Sequence, residues 1–284
     1  MGIVWGVLAA SGWGIADFVA RGTSIRLGAY RALLYAHAIS LVLLTLLVLI
    51  IPGTRSVTLP ILLLAVLLGG LNTLGSTLLY HALSVGQVAI VSPIGSSFAA
   101  ITLVLSLLTG DRISLSKLVS LVLTLVGVIM AATPLPTQGA SLGANSRGIG
   151  AALGAAVTLG LNFWGLKYVV PALGPWVPVL ESRVVSLLML PLLAAPLGQS
   201  LARPPRAVWP MLATVAVLDT GANVAYNLGL YSDVPGVVAV LGSLFSPITV
   251  LLAFVLLHER LSSRQWIGVG VLFVAVAAIG AAAG

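Results

Sequence analysis

Two rows of polar side chains stand in otherwise apolar sequence. Asn72, Ser76 and Tyr80 are spaced four residues apart, and so are Asp219, Asn223 and Asn227. On a helix that spacing puts each trio on a single stripe. Both stripes lie in long hydrophobic runs, where a polar group must face a bundle interior, a cavity or an interface. Amides, hydroxyls and a carboxylate in such rows can hydrogen-bond an amino, carboxyl or sugar group. Packed against neighbouring helices, they would instead make modest interhelical hydrogen bonds. Tyr226 and His81 flank the stripes.

The ionisable residues add possibilities. Glu181 and Arg183 share a third apolar run, but residues two apart do not face each other on a helix, so each needs its own partner. Glu181 is a candidate for a buried titrating carboxylate, with Asp219 next. Either can bind a cationic group or carry a proton; the alternative for Glu181 is an ion pair with a basic group on a neighbouring run. Asp17 and Arg21 lie one turn apart near the end of the first run, as an end-stabilising pair or with Asp17 serving a substrate or proton. His37, His81 and His258 have no adjoining carboxylate cluster, and a metal needs three or four converging ligands. No metal and no cofactor are expected, and His81 ranks first among the histidines because it adjoins a stripe. Trp164, with Asn162, falls within an apolar run and could stack on a flat or cationic ligand. Trp5, Trp176, Trp209 and Trp266 fall near run ends, as interfacial anchors do.

The elements that must position these groups are membrane helices. The chain has 284 residues, 60% hydrophobic and 7% charged, against roughly 25% charged in soluble domains. A span takes about 20 apolar residues, and ten runs fit: 3–20, 30–51, 60–82, 87–109, 114–133, 148–168, 175–197, 207–230, 235–257 and 263–283. All should be helical, because lipid offers no partner to an open sheet edge. Ile3 to Ala20 lacks a basic leader and is read as a retained span, not a signal peptide. No phosphate-binding loop of the G-x-x-x-x-G-K-[ST] type occurs, so ATP hydrolysis by this chain is not expected. Zero cysteines leave no disulfide, thiolate metal site or cysteine nucleophile. The net charge of +7 resides mainly in arginines between spans, where it sets orientation and meets anionic headgroups, not nucleic acid. Arg55, Arg112, Lys117 and Lys167 fall on the side of the termini, against eight basic residues opposite; charge counting puts the termini outside.

The chain also reads twice, with a shift of 146 to 148 residues. Trp13-Gly14 answers to Leu159-Gly160, Asn72-Thr73 to Asp219-Thr220, and Gly95-Ser96 to Gly242-Ser243. Asp111-Arg112-Ile113-Ser114 answers to Glu259-Arg260-Leu261-Ser262. Five spans per copy is an odd number, so the second copy must be inverted. The expected fold is an all-α integral membrane protein of ten transmembrane helices, as two inverted five-helix repeats around a central cavity. The repeats cover 1–133 and 147–284, joined by a linker at 134–146. Such repeats place a site near the bilayer midplane that can open to either side. Ser96 and Ser243 join the cavity set, and Pro93 and Pro247, which free backbone carbonyls, are candidate hinges. The glycine pairs Gly2/Gly6 and Gly150/Gly154 have the spacing of close helix packing.

Some residues carry a resemblance. Trp13-Gly14 followed by Asp17-Phe18, Tyr80-x-Ala82-Leu83 with Gly86 to Pro93, and Leu257-His258-Glu259-Arg260-Leu261-Ser262 leading to Gly268 and Gly270 together resemble the EamA-type branch of the drug/metabolite transporter superfamily. The resemblance spans the whole chain and implies ten helices around a cavity that exports or exchanges small organic molecules; Trp13 then belongs to that cavity. Leu159 stands where a second Trp-Gly would be.

The expected function is a secondary carrier, not an enzyme. It would move an amino-acid-like, nucleoside-like or organic-cation substrate across the inner (cytoplasmic) membrane by alternating access. Its partners would be that substrate and the bilayer, and one chain suffices to form the cavity. A lipid or lipid-linked substrate flippase and a non-transporting scaffold are the alternatives. A scaffold has no reason to duplicate the stripes.

Overall fold

The computed structural model describes residues 1–51, 57–132, 148–257 and 262–281. The linker at 134–146 and the stretch His258-Glu259-Arg260-Leu261 lie outside them. The first part of the chain forms α1 (Gly2–Leu27), α2 (Ala29–Ile50), α3 (Leu59–Val85), α4 (Val88–Ser96), α5 (Phe98–Leu108) and α6 (Leu115–Ala132). The second forms α7 (Ile149–Leu173), α8 (Val177–Ala194), α9 (Trp209–Gly229), α10 (Pro235–Gly242), α11 (Phe245–Leu257) and α12 (Ser263–Ala281). No strand occurs among the described residues. Among the described residues, eight segments are long and apolar enough to cross a membrane, with α4–α5 and α10–α11 each counted as one. Proline opens α3, α8, α9 and α10, where its missing N–H costs nothing and its fixed φ suits a first turn.

Large apolar side chains stay exposed along these helices, among them Leu46, Leu49, Leu67, Val122, Leu188 and Leu192. In water such a belt would be a liability; against hydrocarbon it is the required surface. The first run extends further than its apolar residues indicate. Helix α1 continues to Leu27, because its arginines can carry their charge to the headgroups on long stems. Asp17 therefore sits inside the helix and is buried, 6% exposed, not at its end.

Two turns share one device. Gly28 closes α1 with φ 83° and Gly174 closes α7 with φ 79°, a left-handed conformation that favours glycine. The two glycines are 146 positions apart. Two helix crossings are matched in the same way. A Cβ at Gly14 would lie 2.6 Å from Ile248 and 3.0 Å from the Phe245 carbonyl, and one at Gly160 would lie 2.8 Å from Ile101 and 3.1 Å from the Phe98 carbonyl. At the first crossing Thr249 Oγ1 donates to the Gly14 carbonyl at 3.1 Å, and at the second Thr102 Oγ1 donates to the Gly160 carbonyl at 3.1 Å. Helix α1 packs most closely on α9, α3 on α7, and α6 on α12. Of the GxxxG glycines, Gly6 meets Leu241 and Gly154 meets Leu78, whereas nothing lies within 4 Å of a Cβ at Gly150.

The fourth and ninth runs are broken helices. The break falls at Ser97 between α4 and α5, and at Ser243–Leu244 between α10 and α11. Pro247 explains the second: lacking an N–H, it leaves the Ser243 carbonyl without its i+4 donor, and Ser246 N–H takes that carbonyl at 3.2 Å. Pro93 lies inside α4, ahead of the break. The breaks thus sit beside the prolines expected as hinges, and Phe98 and Phe245 begin the helices that follow.

Candidate functional site

Residues of both polar stripes line one cavity. Helix α3 supplies Asn72, Ser76 and Tyr80, α9 supplies Asp219 and Asn223, and α1 supplies Trp13 and Asp17. Phe98, Phe163, Phe245, Leu79 and Leu159 complete the lining. The space open to water is about 40 Å³, enough for a few water molecules and too small for a metabolite unless helices part.

One wall is aromatic. Trp13 lies 5.1 Å from Phe163 and 6.3 Å, edge-on, from Phe98. Phe98 and Phe163 are 4.8 Å apart, and Phe98 stacks on Phe245 with centroids at 6.2 Å and planes within 10°. Tyr226 backs this wall at 4.6 Å from Phe163. Offset and edge contacts of this kind stiffen a wall beyond simple burial. The faces they present suit a flat apolar group or a cation.

A charged wall adjoins it. Arg183 of α8, 1% exposed, donates to Asp219 Oδ2 at 2.6 Å. Its other terminal nitrogen donates to His37 Nε2 of α2 at 3.0 Å. Arginine only donates, so His37 Nε2 must accept; its proton then resides on Nδ1, which donates to Ser186 Oγ at 2.7 Å. Asn223 Nδ2 donates to the Asp219 carbonyl at 2.8 Å and to Oδ1 at 3.2 Å. The chain Ser186–His37–Arg183–Asp219–Asn223 ties three helices together and holds the Asp219 carboxylate toward the cavity. Asp17 forms no ion pair among the described residues.

A smaller cavity adjoins the first and shares Asn72 and Asn223 with it. Gly69, Asn162, Glu181, Ser182 and Asn227 line it together with apolar residues of α3, α7 and α8, and the space open to water is about 20 Å³. Asn227 Nδ2 donates to the Pro175 carbonyl at 2.9 Å. Glu181 makes no ion pair among the described residues.

Other expected site residues lie elsewhere. His81 is exposed on the outer face of α3, and His37 is the histidine in the polar network. Trp164 points away from both cavities; its indole N–H donates to Thr109 Oγ1 at 3.2 Å, beside Lys167. Its helix position, one residue past Phe163, turns it outward. Ser96 and Ser243 are buried, with hydroxyls donated to the Pro93 and Val240 carbonyls of their own helices at 2.9 and 2.6 Å. Tyr226 contributes its ring, while its hydroxyl donates to the Phe163 carbonyl at 3.2 Å. At the end of the molecule that carries Met1, Lys117 pairs with Asp233 at 2.5 Å and Lys167 with Asp111 at 2.9 Å.

Sequence reasoning does not single out Phe98, Phe163, Phe245, His37 or Arg183 as parts of this site. The phenylalanines are apolar residues in apolar runs and carry no local signal. A signal exists for the last two: His37 and Arg183 are counterparts, 146 positions apart.

No curated protein sequence matches the chain. A solved protein structure superposes on it with a TM-score of 0.75 at 15% identity, covering 98% of this chain and 96% of the other; at that identity the likeness shows a shared fold. The model of the EamA-like transporter family matches residues 1–133 and 146–281. With its apolar helices and its polar cavity, the chain thus belongs to the EamA-like transporter family of the drug/metabolite transporter superfamily, a family of membrane transporters.

Proposed function

We propose that this chain is a secondary carrier for a small organic molecule bearing a cationic amine beside an apolar or aromatic group. The carrier works by alternating access in an inner (cytoplasmic) membrane, in export or exchange. The observation that carries the reading is the buried Asp17, which has no ion pair among the described residues and lines the same cavity as Trp13, Phe98 and Phe163. Asp219 is already compensated by Arg183 at 2.6 Å, so Asp17 leaves the cavity short of one positive charge. Burying an uncompensated carboxylate is costly, and a ligand ammonium would relieve that cost. Trp13 and Phe98 would meet the same ligand with aromatic faces, while Asn72, Ser76 and Asn223 offer hydrogen bonds that fix its orientation.

The moving parts in this proposal are two inverted five-helix repeats, ten spans in all. The matched crossings at Gly14 and Gly160 support that arrangement. So do two contacts between counterparts, Phe98 on Phe245 and His37 on Arg183. A residue touches its own symmetry mate only near the axis relating them, and the cavity lies between these two marks. The small space now open to water fits a constricted state, which rocking of one repeat against the other would open.

A thermal-stability screen of the detergent-purified chain against organic amines, amino acids, nucleosides and sugars tests the reading. A ligand that binds only the folded state raises Tm saturably. Amines that act on the native chain and not on Asp17→Asn are expected. A response confined to neutral or anionic compounds would overturn the assignment of substrate class.

A further inference from the structure

The smaller cavity holds groups that the substrate reading does not use. Among the described residues, Asn72 Oδ1, Asn227 Oδ1 and Glu181 Oε1 are buried without a hydrogen-bond partner, and all three residues line this space. Each of these atoms is an acceptor. Asn72 is 6% and Asn227 1% exposed, so water outside the protein does not satisfy them. Buried acceptors without partners cost free energy, and three in one cavity call for a ligand that gives positive charge and no acceptors of its own.

The backbone is shaped around the carboxylate. Gly69 faces Glu181 so closely that a Cβ there would stand 3.0 Å from both carboxylate oxygens. The charge count limits the ligand: one carboxylate and neutral amide oxygens balance a single positive charge. The size limits it too, since about 20 Å³ open to water holds one or two water-sized bodies. Hard oxygen donors select hard cations. Calcium asks for six to eight oxygens and balances two negative charges, and magnesium keeps most of its waters in strict octahedral geometry; among the described residues this lining supplies one carboxylate.

We infer that the cavity between α3, α7, α8 and α9 is a site for a dehydrated monovalent metal cation, Na⁺ in the first instance. Glu181 supplies the charge, and Asn72 and Asn227 supply carbonyl oxygens. Asn72 also faces the substrate cavity, so an ion on its oxygen fixes the side chain that a substrate meets. That link gives the ion a part in driving the carrier. The coupling role rests on the carrier reading above; the binding itself does not.

The test uses the purified full-length chain in detergent at constant ionic strength, with choline chloride replaced stepwise by NaCl, KCl or methylammonium chloride. A saturable rise in Tm of several degrees with Na⁺ is expected, lost in Glu181→Gln and shifted about tenfold to higher concentration in Glu181→Asp, a loss of roughly 1.4 kcal/mol. Should Glu181→Gln fail to fold, Glu181→Asp and a titration of native protein carry the test. A rise that choline matches, or that survives Glu181→Gln unchanged, overturns the site. Methylammonium acting where Na⁺ does not would make it an organic-ammonium subsite, and a Tm that follows pH but no cation would make it a protonated carboxyl; either overturns the metal. A Na⁺ response intact in Asp17→Asn, beside a lost amine response, separates this site from the substrate cavity.

Discussion

Arg183 and Asp219 meet at 2.6 Å with the arginine 1% exposed, which makes them a buried ion pair between α8 and α9. Removing one partner of such a pair leaves a desolvated charge and costs about 3–5 kcal/mol, whereas replacing both by apolar groups of similar volume is often neutral. Asp219→Asn is therefore expected to lower stability by about that amount, softened by the hydrogen bond an amide oxygen can still accept. The double variant Arg183→Met/Asp219→Leu should recover most of the loss. Thermal melts of the native chain, Arg183→Met, Asp219→Leu and the double variant in one detergent form the cycle, and a double variant no better than the singles would mean that the His37 and Asn223 contacts matter more than the charge.

Close helix crossings give a sharper contrast. Gly14→Ala and Gly160→Ala each place a Cβ within 2.8 Å of an isoleucine side chain, and overpacking of that kind costs about 1–3 kcal/mol. Gly150→Ala meets nothing within 4 Å and should be neutral or slightly stabilising, since alanine favours helix by up to about 1 kcal/mol. Melting temperatures in that order would support the crossings; equal effects at all three positions would not.

Asp17 carries the selectivity proposed for the main cavity. Asp17→Asn keeps the shape and removes the charge, so amine binding should fall about ten- to a hundredfold, the range of roughly 1.5–3 kcal/mol expected for a hydrogen bond to a charged group. Isothermal titration with an amine found in the screen reads this directly. An unchanged dissociation constant would remove Asp17 from the site.

Asn72 and Asn223 border both cavities, and each lies on one of the two stripes. Asn72→Ala and Asn223→Ala should each abolish uptake or efflux in proteoliposomes while leaving the elution profile of the folded protein unchanged. Normal transport by both would sink the cavity assignment.

Much of this site is legible in the sequence because polar residues are conspicuous in apolar runs. Asn72, Ser76, Asp219 and Asn223 stand out for that reason, and their four-residue spacing orients them together. The aromatic wall is not legible, because Phe98, Phe163 and Phe245 do not differ in type from residues that face lipid. Partner choice is hidden too: Arg183 could have paired with any carboxylate in reach, and only the placement of α8 against α9 selects Asp219. His81 adjoins Tyr80 in sequence, yet the 100° step between successive helical residues carries it to the outer face. The breaks near Ser97 and Ser243 leave the apolar runs intact, so hydropathy alone misses them, and Pro93 and Pro247 are the residues that mark them in the sequence.

The His37–Arg183 hydrogen bond has a bearing on how such a chain could have arisen. On the proposed twofold, two identical halves would set like against like at this point. Two arginines would repel across a buried gap. An unlike pair needs halves of different sequence, which a single fused polypeptide provides. Asp219 and Arg183 both belong to the second half, while their counterparts, Asn72 and His37, are neutral. On the proposed repeat, the charges thus sit as a compensated couple within a single half.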